Sequence, residues 1–222
     1  MKTRILILAA MLAFLPLSLH AQWRVGVNAG ATYNLYAIDK QYMTDYRYYG
    51  AGGVTMGVTG QYHFMDWLGV RMEIDLTQRN YQHTRAIYAD RLDYHYHNDY
   101  LLVPAMVHFS FGGSLRGFAN FGVYGGYWLK SHRDGKDYNS FSNRSFDIDE
   151  DIAFVPERDQ RWDFGYVAGA GMEWQFARHW AVQLEARCNY SVISTVKQYM
   201  AHVKDYRYNT TFGLTAGFNY IF

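Results

Sequence analysis

The residues that could do chemistry come in three short stretches. In "HFS", His108 and Ser110 stand two apart, so on an extended backbone they share a face. A serine and a histidine are the nucleophile and base of acyl-transfer enzymes, but the pair needs an acid to orient the imidazole. No Asp or Glu stands near them at a spacing that suggests this third role. In "DYHYHNDY", His95 and His97 also share a face, with Asp93 and Asp99 beside them. Alternate histidines on a strand can ligate a metal, yet no further ligand is visible, and a polar strand end is the plainer reading. "FDIDED" supplies Asp147, Asp149, Glu150 and Asp151. It lacks the glycine and distal glutamate of a Ca²⁺ loop. Arg133, Lys136, Arg144 and Arg158 lie close enough in sequence to neutralise it. Gly125-Gly126 has no phosphate-loop context. These stretches point to no catalytic residue, no metal and no cofactor.

A different set of charges is regularly placed. Arg24, Arg71, Glu73, Asp75, Arg79, Glu173, Glu185 and Arg187 fall on the polar side of segments that alternate strictly between apolar and polar residues. In "WLGVRMEIDLTQR", Val70, Met72, Ile74 and Leu76 oppose Arg71, Glu73, Asp75 and Thr77. In "WAVQLEARCNYSV", Trp180, Val182, Leu184 and Ala186 oppose Gln183, Glu185 and Arg187. The chain ends the same way, with Phe212, Leu214, Ala216, Phe218, Tyr220 and Phe222 on one face. Period two is the strand signature. Segments from Trp23, Gly53, Tyr100, Arg116 and Arg161 bring the number to about eight. "YLLVPAMVHFSF" and "RGFANFGVYGGYWL" are apolar on both faces, and Pro104 predicts a bulge or local irregularity in the first.

The composition fits long strands. Aromatics make up 18% of the 222 residues, with 21 Tyr and 20 Gly but only 3 Pro; proline removes a ladder donor and is scarce in sheets. Half the chain is hydrophobic, yet mean hydropathy is slightly negative, which excludes a bundle of membrane helices. The one apolar run is "MKTRILILAAMLAFLPLSLHAQ". Its basic start, short apolar middle and small residues near Ala21 predict a signal peptide over 1–21, leaving a single domain over 22–222. No Cys follows the cut, so no lipid anchor is expected. Losing Lys2 and Arg4 and no acid takes the formal charge from +1 to −1, which gives no reason to invoke nucleic acid. Cys188 is alone and cannot form an internal disulfide.

Soluble and membrane barrels share this alternation with opposite faces outward. Six or so successive apolar positions per strand match a membrane strand of about 9–11 tilted residues. Aromatics gather near strand ends, as interfacial girdles do. The polar face is rich in Gly, Thr and Asn rather than Lys and Glu. Short connections at 65–66, 112–115 and 177–179 alternate with long polar ones near 37–50, 83–97, 131–160 and 194–206. The expectation is an all-β, eight-stranded antiparallel up-and-down transmembrane β-barrel. Its short turns and both chain ends face the periplasm. An interior of this size is just filled by side chains. The eight regularly placed charges are therefore expected to pair in the lumen and plug it, with His108 and Ser110 also pointing inward near a periplasmic turn.

With these features in place, "NDYLLVPAMVHF" (Asn98 to Phe109) and "DFGYVAGAGMEW" (Asp163 to Trp174) resemble strands of the small outer-membrane β-barrel family of Gram-negative bacteria that includes PorT-like proteins. The resemblance spans essentially the mature chain. It implies insertion by the outer-membrane barrel assembly machinery, with Phe218, Tyr220 and Phe222 as the C-terminal insertion signal. Outer-membrane lipid and lipopolysaccharide are the implied surroundings, and no surface partner is named. The reading is a non-enzymatic barrel that acts through its long loops. A narrow porin-like channel and an accessory role in secretion are the alternatives, and lipid-modifying enzymes that use His and Ser within barrels are a further comparison. Membership alone does not assign a role.

Overall fold

In the computed structural model, residues 22–40, 46–85, 92–139, 141–142, 144–198 and 205–222 are described. The expected signal peptide, residues 1–21, lies outside them. Ten strands follow in order: β1 Gln22–Lys40, β2 Tyr46–Met65, β3 Leu68–Gln78, β4 Tyr81–Arg85, β5 Asp93–Gly112, β6 Leu115–Asn139, β7 Arg144–Asp151, β8 Trp162–Ala177, β9 Trp180–Ser191 and β10 Asp205–Ile221.

These form a ring of eight. β3 and β4 are two halves of one wall element, since both pair with β2 on one side and β5 on the other. β7 pairs with the outer half of β6 as a hairpin standing off the ring. The sequence β1-β2-β3/β4-β5-β6-β8-β9-β10 closes through antiparallel pairing of β1 with β10, from Arg24↔Ile221 to Lys40↔Asp205. Phe222 continues the seam, its N–H donating to the Trp23 carbonyl at 3.0 Å. Closure leaves no unpaired edge in the ring, which is what allows strands to cross a hydrocarbon layer.

The alternation resolves as one face out and one face in. Along β3, Met72, Ile74 and Leu76 are exposed while Arg71, Glu73, Asp75 and Thr77 are buried. Along β9, Leu184 is 53% exposed and its neighbour Glu185 is fully buried. The outward wall is thus apolar and the inward wall largely polar, the reverse of a soluble barrel. Aromatic pairs band the end that carries the short turns: Trp180 stacks on Phe218 at 4.9 Å, and Tyr220 meets Phe222 edge-on at 5.0 Å.

One sequence expectation needs correcting. Three of the stretches expected as long loops, 37–50, 83–97 and 131–160, carry strand over much of their described length. β1 runs to Lys40, β5 begins at Asp93, and β6 with β7 carries the ladder far beyond the last lipid-facing apolar residue, Leu129. Backbone pairing does not need hydrocarbon around it, so the ladder continues where side chains become polar. "FDIDED" accordingly lies on β7 rather than in a loop. The doubly apolar strands, β5 and β6, pack an apolar patch inside the barrel, made of Tyr100, Leu102, Met106 and Tyr124 with Val167 of β8. Pro104 is inward and opens the β3–β5 ladder, which stops at Met72↔Ala105 and resumes in unchanged register at Asp75↔Leu102. The bulge proper is further along, where Asp99 faces Lys130 but Tyr100 faces Trp128, leaving Leu129 as the extra residue.

Candidate functional site: a lumen crossed by ion pairs

β9 and β3 lie opposite each other, four strands apart either way round the ring. Arg187 projects inward from β9 and reaches across the lumen. Its Nη1 donates to Glu73 Oε2 at 2.5 Å and its Nη2 to Glu73 Oε1 at 2.9 Å. The same guanidinium holds Glu185 on its own strand, Nη2 to Oε2 at 2.9 Å and Nε to Oε1 at 3.2 Å. Arg71 pairs with Glu73 and lies 3.3 Å from Glu185. Two arginines and two glutamates therefore form a cross-lumen square in which each charge meets opposite charges on two sides. Asp75 joins at the edge, 3.4 Å from Arg187 and accepting from Asn28 Nδ2 at 3.3 Å. Isolated ions at this burial would be very costly, and mutual pairing with hydrogen bonds is what makes them tolerable.

Glycines make room for these groups. A Cβ on Gly57 would collide with Asp75 Oδ1, and one on Gly169 with Glu185 Oε1. The glycine-rich polar face is thus the complement of the long charged side chains across from it.

Toward the short-turn end, Arg24 of β1 pairs with Glu173 of β8 at 2.5 Å. Here too are the two residues with catalytic types. Both point inward, but they do not engage each other. His108 Nδ1 sits 2.7 Å from Asn120 Oδ1, and Ser110 Oγ donates to the Asp66 carbonyl at 3.2 Å. Asn120 Nδ2 in turn donates to Glu185 at 2.9 Å, tying the imidazole into the ion network.

Toward the other end, the structure departs from the expected cluster. Arg79, at the β3/β4 junction, meets none of Glu73, Asp75, Glu173 or Glu185. It pairs with Asp163 at the start of β8. Its guanidinium lies between the rings of Tyr100 and Tyr124, 5.0 and 5.1 Å from their centroids. Tyr124 Oη donates to Asp163 Oδ2 at 3.1 Å, and so does Ser191 Oγ at 3.1 Å. Asp163 was the functional residue that sequence reasoning left out. Its signal is its place on the inward face one step inside Trp162, a depth that mirrors Arg79 just past the end of β3.

The void between Asn28, Asp75, Arg187 and Thr215 is about 10 Å³, on the order of one water. Among the described residues no group of three or more His, Cys, Asp or Glu is arranged to hold a metal. His97 instead pairs with Asp134 at 2.8 Å and His95 lies 3.6 Å from Asp93, while Glu150 of β7 pairs with Arg133.

A closed ring of eight strands with an apolar outer wall and a charged interior is an integral outer-membrane β-barrel. The chain belongs to the outer membrane protein beta-barrel domain family, whose profile matches residues 16–197, and it is a protein of the outer membrane. Among solved structures it is similar to the outer membrane protein OprG of Pseudomonas aeruginosa, at 14% identity over 91% of this chain and 96% of that one, with a TM-score of 0.57. Neisserial surface protein A gives 13% identity over 90% and 97%, with a TM-score of 0.47. Ail of Yersinia pestis, solved with the heparin analogue sucrose octasulfate, gives 14% over 90% and 99%, with a TM-score of 0.43. At such identities the likeness is one of fold. No curated protein sequence matches this chain.

Proposed function

We propose that this protein is a non-enzymatic outer-membrane barrel with a sealed lumen, working through the face it presents outside the cell. The observation that carries the reading is Arg187 bridging Glu73 and Glu185 from wall to wall, with about 10 Å³ left beside it. A solute path would require that square to open, at the cost of uncompensated buried charges. Against catalysis, the His108 and Ser110 side chains are committed to Asn120 and the Asp66 carbonyl.

In the same reading residues 1–21 direct export, and Phe218, Tyr220 and Phe222 are the signal taken by the barrel assembly machinery. Membrane lipid and lipopolysaccharide cover the apolar wall. Planar-bilayer recording tests the central point. The inserted protein should give no discrete conductance steps; steady unitary currents would replace this reading with that of a narrow channel.

A further inference from the structure

We propose that the mouth of the barrel, at the end away from the short turns, is a binding site for a short neutral saccharide. The inference rests on the sealed-barrel reading in one respect: with the floor closed, a ligand is held rather than passed on.

The mouth contains a cavity of about 400 Å³, within the range of about 300–1,000 Å³ usual for small-molecule sites. Trp128 lines it and stacks on Tyr100 of the interior apolar patch at 5.6 Å. Its roof is the segment between β7 and β8, which folds inward and is pinned to both walls. Ile152 N–H donates to the Ser131 carbonyl at 2.9 Å, and Gln160 N–H to the Thr195 carbonyl at 2.9 Å. Lys197 Nζ reaches the Pro156 carbonyl at 2.7 Å. These bonds make the cavity a built feature of the fold.

Two kinds of side chain line it. One is aromatic. Tyr36, Tyr81 and Tyr96 stack in a column with centroids 4.2 and 4.6 Å apart, and Phe154 meets Trp128 edge-on at 4.9 Å. The other is charged but balanced. Arg133 pairs with Glu150, Arg158 with Asp159 at 2.8 Å, and Arg207 with Asp205 at 2.8 Å.

This combination selects a chemistry. A phosphate or sulfate would have to displace a carboxylate from a guanidinium, so the site carries no net attraction for anions. A purely apolar ligand would desolvate three ion pairs without compensation. A sugar suits both kinds: its C–H faces pack on rings, and its hydroxyls donate to the carboxylates while accepting from the guanidinium groups beside them.

The test uses the mature barrel in lipid nanodiscs and saturation-transfer NMR with sucrose, maltose and cellobiose, and with sucrose octasulfate as the anionic counterpart. At least one neutral disaccharide should receive saturation. Tyr96→Ala and Arg133→Met should each weaken its binding about tenfold, a change of about 1.4 kcal/mol. Tyr190→Ala, on the lipid-facing wall, should not. Heat-modifiable gel migration verifies that each variant is folded, and Tyr96→Leu replaces any that is not. No transfer to any of the three neutral sugars overturns the proposal. So does binding of the octasulfate without sucrose, or an equal loss in Tyr96→Ala and Tyr190→Ala. Bilayer recording on the same preparation separates the two readings. Current with sugar binding defeats only the sealed lumen, and silence without sugar binding defeats only the saccharide site.

Discussion

Arg187 of β9 holds Glu73 of β3 across the full width of the barrel, at 2.5 and 2.9 Å. The two residues are 114 positions apart, and the side chains bridge walls that share no backbone pairing. This contact ties opposite sides of the ring together and fills the space between them.

Removing one partner should therefore cost far more than removing the whole square. Arg187→Met leaves Glu73 and Glu185 to share Arg71 and takes the cation from Asp75, and should lower stability by about 3–5 kcal/mol. Replacing Arg71, Glu73, Glu185 and Arg187 together by Met, Leu, Leu and Met should cost less than that single change. Urea unfolding from lipid vesicles gives both values. Equal or reversed costs would mean that the ions are hydrated rather than paired.

The glycines facing the square should be intolerant of side chains. Gly169→Val drives into Glu185 Oε1 and should destabilise by about 1–3 kcal/mol through overpacking. Gly113, where an added Cβ meets nothing within 4 Å, should accept alanine with little change. The same unfolding assay compares them.

Charge on the outer wall should be penalised by depth. Leu184 is 53% exposed amid lipid-facing residues of β9, and Leu184→Arg should cost about 2–4 kcal/mol near the midplane. Phe141, fully exposed near the tip of the β6–β7 hairpin, should accept arginine within about 0.5 kcal/mol. Folding yield into vesicles reads both. A similar penalty at the two positions would contradict the placement of the membrane.

Much of this was legible in the sequence. Strict alternation specified which residues face lipid, because a one-residue slip would invert the whole face, and the outward set from Val70 to Leu76 needs no partner to be recognised. Three things were not legible. Arg79 finds Asp163 because strand stagger around the ring sets which inward residues share a level, and stagger is fixed only on closure. The interior apolar patch around Tyr100 and Tyr124 was hidden because β5 and β6 are apolar on both faces, so period two has no contrast to report. The sheet above the membrane reads as loop in the sequence because its residues are polar, although "DYHYHNDY" keeps the alternation.

The tyrosines of the mouth should resist alkali. Tyr48 stacks on His83 at 4.6 Å, and burial is the main cause pushing its phenol from 10.0 up to about 12. Burial likewise raises Tyr36 and Tyr81. A raised value favours the neutral form in the folded state. This contribution is complete below pH 10.0 and is lost as pH rises through about 12. Ultraviolet difference titration should show phenolate appearing late. Tyr48→Phe should remove a step near pH 12, and an unchanged titration curve would refute the assignment.

The seam joins the earliest strand of the domain to the last, down to the bond between Phe222 and Trp23. Neither of those strands has a complete set of backbone partners until the other is present. A chain lacking β10 would carry sticky, half-bonded margins, so closure has to wait for that strand. The cell must keep the whole polypeptide loose in the meantime.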